Sequence, residues 1–322
     1  MTLAGMTPIL APLVLALFSA SAQAQTTARI LSGFPPGGAV DALARVFAEK
    51  LSEAIAKPVV VETRTGAAGQ IAAEALKASP ADGNTLMIAP DSMFTVYPHT
   101  VKKPVYDTLN DFVAVAHTGS YPIALAVGAG VPASDLREFV AWAKVSPKNA
   151  SYGTAGAGTT LHFLGLMMEQ ATGIHFAHVP YRGVGPAITD VIAGQVPAVI
   201  LPLGTLLQQA RAGKARLLAH SGSRRSPLAP DIPTFKELGY PTLEATGWFG
   251  AFAPAGMRPE LLSRYNDIFV QAARTGLVRE RMRSLDLEIR EMTPAELAST
   301  LKAEHARWGA IIKATGFSAQ SQ

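Results

Sequence analysis

The chain has 322 residues, 48% hydrophobic and 16% charged, which is enough for two domains of ordinary size with a core in each and excludes a disordered chain. Its formal charge of +4 and pI near 9.3 come from scattered basic residues, paired in sequence only at Lys102/Lys103 and Arg224/Arg225. That pattern leaves no nucleic-acid footprint, and the absence of cysteine excludes disulfides, thiol chemistry and a lipid anchor on an N-terminal Cys.

The first 24 residues carry no charged side chain. An apolar run from Ile9 to Phe18 leads into Ser21-Ala22-Gln23-Ala24, where Ala22 and Ala24 fit a small-x-small cleavage site. This reads as a secretory signal over 1–24, cleaved after Ala24, and the expected location is the periplasm. A membrane anchor is the competing reading, but about 20 apolar residues are needed to span a bilayer and the run is shorter.

After Arg29–Leu31, the stretch Ser32-Gly33-Phe34-Pro35-Pro36-Gly37-Gly38 empties into a segment with apolar residues at 40, 43, 44, 47, 51 and 55, which is helix spacing. Prolines stiffen this turn and glycines strip it of side chains, so the unpaired N–H groups of the new helix form an anion cradle. A plain strand-to-helix turn without ligand has the same look. Lys57-Pro58 ends the helix and Val59-Val60-Val61 reads as a strand. The turn Thr63–Gly69 opens a helix from about Gln70 to Lys77, and a strand follows over Thr85–Ala89, with Ser92 just beyond its carboxyl end, where open α/β sheets bind ligands.

Residues 107–112 read as a short helix, and Val113–His117 and Ile123–Val127 as two strands. Ser134 is a candidate N-cap for a helix ending near Lys144. The grammar then repeats, with strands at Ala150–Tyr152, Phe176–Val179, Val196–Leu201 and Arg216–His220 alternating with helices at Leu161–Thr172, Pro186–Ala193 and Leu203–Ala212. Such alternation predicts parallel sheets. Trp248–Ala253 reads as a strand returning to the first domain, closed by helices over Pro259–Thr275 and Pro294–Thr315. The expected division is 25–125 with 247–322 as one lobe and 126–246 as the other.

Gly153–His162 is a second cradle after a strand. It is neither a P-loop nor a Gly-x-Gly-x-x-Gly turn, and its threonine hydroxyls and free N–H groups suit a carboxylate. Phe34-Pro35-Pro36-Gly37-Gly38 with Asp41, Gly66 with Gly69, Asp82-Gly83, Tyr106-Asp107, Asp111-Phe112, the Gly153–His162 loop, His178–Gly183, Gly194-Gln195-Val196, Arg225-Ser226 and Trp248–Pro254 resemble, in order, the solute receptors of tripartite tricarboxylate transporters, the Bug or TctC type. The resemblance runs from about Arg29 to Gly316.

It implies a type II periplasmic binding protein of α/β class, two lobes joined by two crossing strands with the solute in the cleft. It also implies that loops of both lobes hold a solute carboxylate through backbone groups and ordered water. The contacts it implies are Phe34, Gly37, Gly38 and Asp41 in one lobe and Thr154, Ala155, Gly156, Thr159 and Thr160 in the other. Its expected partners are a small carboxylate and permease subunits of the TctA/TctB type, with no cofactor, and the receptor itself is expected to be a monomer.

Asp41 lies in the first turn of its helix, where a carboxylate caps free N–H groups and would repel an anionic solute, so a structural role competes with ligand contact. His162 is expected to brace the loop. Family members usually carry Tyr-Lys-Gly where this chain has Tyr181-Arg182-Gly183; the Arg182 fork suits a carboxylate or an exposed salt bridge. Trp248 is expected to wall the cleft, while Phe94 and Tyr97 are expected in the core. Many relatives place an Asp where Leu201 stands, so the solute is expected to be a mono- or dicarboxylic acid without an amine. A sensory subunit signalling to a membrane kinase is the alternative function. A hydrolase is disfavoured because no Gly-x-Ser-x-Gly elbow or His-Glu-x-x-His pair occurs, and the seven His show no metal-ligand spacing.

Overall fold

A computed structural model describes residues 27–315 and 317; the expected export signal and its cleavage point lie outside them. The chain begins with β1 (Ala28–Ser32), α1 (Ala39–Ile55), β2 (Val59–Thr63), α2 (Gln70–Lys77) and β3 (Thr85–Pro90), then the short helices α3 (Ser92–Thr95) and α4 (Thr108–Asp111). Helix α1 buries Val40, Leu43, Ala44, Phe47 and Leu51 along one stripe, as its spacing predicts, and Ala56 ends it in the left-handed region at φ 51°. The Phe47 ring lies 4.9 Å from that of Phe269, and burying each is worth roughly 1.5–3 kcal/mol.

Strand β4 (Phe112–Gly128) runs unbroken for 17 residues where the sequence suggests two strands. Gly119, Ser120 and Pro122 look like a turn, but β9 (Thr246–Pro254) pairs antiparallel alongside them, and register shifts at Ala114/Ala116 and His117/Gly119 absorb the irregularity. Tertiary pairing overrides local turn propensity here. Beyond Pro122 the same strand pairs with β7 (Ala198–Pro202) on one side and β8 (Ala215–His220) on the other.

The second half also holds α5 (Leu136–Val145), β5 (Ser151–Thr154), α6 (Thr160–Thr172), β6 (Ala177–Pro180), α7 (Val184–Ile192) and α8 (Leu203–Arg211). Helix α5 is capped by Asp135, whose side chain accepts from Glu138 N at 2.8 Å; Ser134, expected as the cap, stands one residue earlier and donates to the Glu138 carboxylate. The chain closes with α9 (Pro259–Arg274), α10 (Gly276–Ser284) and α11 (Pro294–Thr315). Helix α10 has no counterpart in the sequence reading, because only Val278 and Met282 are buried along it.

Strand order is β2-β1-β3-β9-β4-β7-β5-β6, with β8 on β4. The sheet is therefore mixed rather than parallel. Parallel pairs occur at β2-β1-β3 and β7-β5-β6, where helices connect the strands, and the two crossing strands β4 and β9 pair antiparallel with each other and with what they touch.

Candidate functional site

The carboxyl ends of β1, β3, β5, β6 and β7 meet around a cavity of about 90 Å³. Its walls are Phe34, Pro35, Pro36, Val40, Pro90, Tyr121, Leu161, Val184, Pro186, Pro202 and Phe249, with Ser92, Thr159, Thr160 and Arg182 the lining residues that carry a polar side chain besides Tyr121. No acidic side chain lines it among the described residues.

Three helices start at this cavity. Gly38 caps α1, Thr159 caps α6 and Gly183 caps α7, and the first-turn residues Ala39, Val40, Thr160, Leu161, Val184 and Gly185 all line the space. First-turn N–H groups have no partner within their own helix, and aligned peptide dipoles make each start partly positive. Gly183 adopts φ +108°, and a Cβ there would stand 3.1 Å from Pro35 Cδ, so glycine lets the α7 start close against the first cradle.

Each cradle is braced from beneath. In the first, Ser32 Oγ donates to the Phe34 carbonyl at 3.2 Å, Gly37 N donates to Asp41 Oδ2 at 3.2 Å, and Arg45 Nε donates to Asp41 Oδ1 at 2.9 Å. Asp41 is buried and occupied by these bonds, and it does not line the cavity. In the second, the Thr154 hydroxyl donates to the Gly156 carbonyl at 3.0 Å and meets His178 Nε2 at 2.7 Å, and Thr159 Oγ1 donates to Gly156 O at 2.9 Å. His162 braces the loop through Nδ1, which accepts from Gly158 N at 3.2 Å, and its ring stacks on His178 at 3.8 Å. Burial lowers both imidazoles, His162 to about 4 and His178 to about 3, so both are neutral near pH 7.

Asp91, just past the end of β3, joins the second cradle to β9. Its Oδ1 accepts from Trp248 N at 3.2 Å and its Oδ2 from Thr160 Oγ1 at 3.3 Å. Burial raises its carboxyl to about 7, against the pull of the Trp248 N–H.

Of the residues singled out in the sequence, Phe34, Gly38, Ser92, Ala155, Thr159, Thr160 and Arg182 line the cavity together. Gly156 and Tyr181 line an adjoining cleft of about 570 Å³, which shares Phe34, Pro35, Ala155, Arg182 and Gly183 with the cavity. The Tyr181 hydroxyl donates to Asp190 at 2.8 Å. Gly37, Asp41, Thr154, Leu201 and Trp248 line neither space. Leu201 is fully buried in β7, and its neighbour Pro202, also buried, stands in the cavity wall; Trp248 packs inward near Phe252, and Phe249 takes the wall. Successive strand residues point to opposite faces, which separates each of these pairs.

Sequence reasoning missed Tyr121, Phe249, Pro202, Val184 and Asp91. Tyr121 and Phe249 stack at 4.6 Å on paired strands β4 and β9. Their signal was the aromatic content of the two crossing strands, legible only with the right strand parity.

Two α/β halves joined by a pair of crossing strands, with a cavity at the strand ends between them, define a type II periplasmic solute-binding protein. The sequence profile of the tripartite tricarboxylate transporter family receptor (TctC) matches residues 43–317, and the chain belongs to that family. It is 32% identical over 284 residues to the protein BugT of Bordetella pertussis, covering 88% of this chain and 87% of BugT. Among solved structures, the Rpa4515 protein of R. palustris with adipate is 28% identical with a TM-score of 0.86, covering 91% of this chain and 98% of that one. MatC of Rhodopseudomonas palustris with bound malate is 26% identical with a TM-score of 0.84, covering 89% and 98%. The family is one of solute-binding receptors, not of enzymes. No described helix is long and apolar enough to cross a membrane.

Proposed function

We propose that this chain is an exported receptor that captures a small carboxylate lacking an amine and delivers it to a permease of the tripartite tricarboxylate type. The observation that carries this reading is the cavity's charge pattern: three helix starts converge on it and no acidic side chain lines it among the described residues. An anion gains from such a site, whereas an ammonium group would meet dipoles of the wrong sign and find no acid to pair with. The similar structures holding malate and adipate support the same class of solute.

In this reading residues 25–125 and 247–322 form one lobe and 126–246 the other, and the solute carboxylate lies between the starts of α1 and α6. The first 24 residues are removed on export by cleavage after Ala24. The experiment is calorimetric titration of protein refolded from denaturant, which strips any carried-over solute, with simple carboxylates and with aspartate and glutamate. Binding of carboxylates with no heat from the amino acids is the expected result. Tight glutamate binding overturns the amine exclusion, and no heat from any acid overturns the receptor reading.

A further inference from the structure

Besides the crossing strands, a second set of contacts joins the two halves. Helix α11 packs beside α3 and against β4, with the half built on β2-β1-β3, whereas α6 belongs to the half built on β7-β5-β6. Yet Trp308 and Ile312 of α11 share a small apolar cluster of their own with Val96 and with Phe163 of α6, and Leu166, Ile311 and Phe317 pack around it. The Phe163 and Trp308 ring centroids stand 6.0 Å apart, and Phe163 is fully buried.

Phe317, two residues past the end of α11, meets both His162 and Phe163 edge-on, its ring centroid 5.1 Å from each. His162 is the ring whose Nδ1 accepts from Gly158 N and which stacks on His178, so Phe317 touches the brace of the second cradle. Helix α6 therefore works in two directions. Its first residues, Thr160 and Leu161, line the cavity, while the next two, His162 and Phe163, meet Phe317.

We propose that the carboxyl-terminal end of the chain is a clasp between the halves: Trp308, Ile312 and Phe317 hold α6 in the closed arrangement, and Phe317, acting through His162, is a positioning residue for the second cradle. The positioning role rests on the carboxylate-receptor reading; the clasp stands without it. The bond from Thr160 to Asp91 and the approach of Gly183 to Pro35 show that the halves are closed here. Parting them about β4 and β9 takes the Phe163 and Trp308 rings into water, which apolar burial opposes, so the clasp biases the free protein toward the closed form. Apparent affinity scales with the population of the competent form, so a solute held between the cradles gains from that bias.

The chain has no cysteine, so spin labels on Lys102→Cys and Gln170→Cys, both exposed and one in each half, report the separation of the halves by pulsed electron resonance. In labelled protein refolded from denaturant without solute, one short, narrow distance population is expected. Phe317→Ala should lengthen and broaden it, and Phe317→Leu, which keeps apolar bulk, should retain most of the short population. Phe317 is half-buried, so both variants are expected to fold, as melting curves will show. In Phe317→Ala the Gly158 amide and His162 Cε1–H signals should shift, and malate and adipate should bind roughly tenfold more weakly with their order unchanged. An unchanged distance distribution in Phe317→Ala overturns the clasp. Unmoved Gly158 and His162 signals, or unchanged affinity for an acid that the wild type binds, overturn the positioning role. If neither acid binds the wild type while Phe317→Ala still alters the distances, the receptor reading fails and the clasp stands.

Discussion

The Thr160 hydroxyl donates to Asp91 Oδ2 at 3.3 Å, tying the first turn of α6 to the end of β3 across 69 positions of sequence. With Trp248 N on the other oxygen, one fully buried carboxyl holds three separate segments. Burial raises that carboxyl to about 7, against about 3.9 in an unfolded chain. The folded state therefore binds the extra proton between these values, and this group's contribution to stability is full below about pH 4 and is lost as pH rises through 7. Asp91→Asn keeps the shape without the titration. Its stability relative to the wild type, followed by melting curves, should rise from pH 5 to pH 8 by on the order of a few kcal/mol. A difference that stays flat with pH would show that Asp91 does not titrate in this window.

The histidines act with the opposite sign. Burial lowers His117 and His162 to about 4 and His178 to about 3, below the ordinary 6.5. Unfolded histidine takes up protons first, so their contribution is full above about pH 6.5 and is lost as pH falls toward 4. Proton NMR of the imidazole Cε1–H signals should show these three rings unchanged between pH 8 and pH 5. A midpoint near 6.5 for the stacked His162–His178 pair would refute the neutral bracing of the second cradle.

Asp41→Asn separates a cap from a contact. The carboxylate accepts from Gly37 N and pairs with Arg45, so its loss should lower stability by about 1 kcal/mol, within the range for a helix N-terminal acid. Because Asp41 lines neither cavity nor cleft, carboxylate affinity should change little. A large affinity loss in a variant of near-normal melting temperature would place Asp41 against the solute after all.

Phe249 and Trp248 should behave differently although they are neighbours. Phe249→Ala removes a wall of the cavity and a buried ring, costing roughly 3–5 kcal/mol. Phe249→Leu is milder, and it should shift the preferred acid toward a bulkier body. Trp248→Phe keeps most of the apolar volume away from the cavity and should leave the order of preferred acids unchanged; a changed order would move the wall to Trp248.

Gly183→Ala tests the approach of the α7 start to the first cradle. The residue sits at φ +108° and its new methyl would press on Pro35, so a stability loss of about 1–3 kcal/mol is expected from backbone strain alone. Affinity for carboxylates should fall with it, measured by titration at a temperature where the variant is fully folded. Wild-type affinity in the folded variant would mean that α7 does not contribute to the site.

Much of this fold is written in local patterns. Helices α2 and α11 begin and end where apolar period and proline place them, and both cradles follow from glycine and threonine after short strands. What stayed hidden depends on partners distant in sequence. The continuity of β4 is imposed by β9, more than a hundred residues later, and no local signal at Gly119 or Pro122 announces it. The cavity wall is hidden for a second reason: choosing Leu201 over Pro202, or Trp248 over Phe249, requires strand parity, which a one-residue uncertainty in strand start inverts. Asp91 reads as an ordinary turn residue until Thr160 and Trp248 are brought to it.

On β4, Pro122 is the last residue paired with β9 and Ile123 the first paired with β7. Proline has no N–H, so the backbone changes partners at a position with no donor to strand. One residue on, Ile123 N donates to Ser221 Oγ at 2.9 Å, and that hydroxyl donates to Ala245 O at 2.6 Å, a bridge made by one side chain between both crossing segments. The Ser221 backbone adds two more bonds, its N donating to Ile123 O at 2.8 Å and its carbonyl accepting from Ala245 N at 3.0 Å, so one residue stitches the two crossing segments together where β4 changes partners.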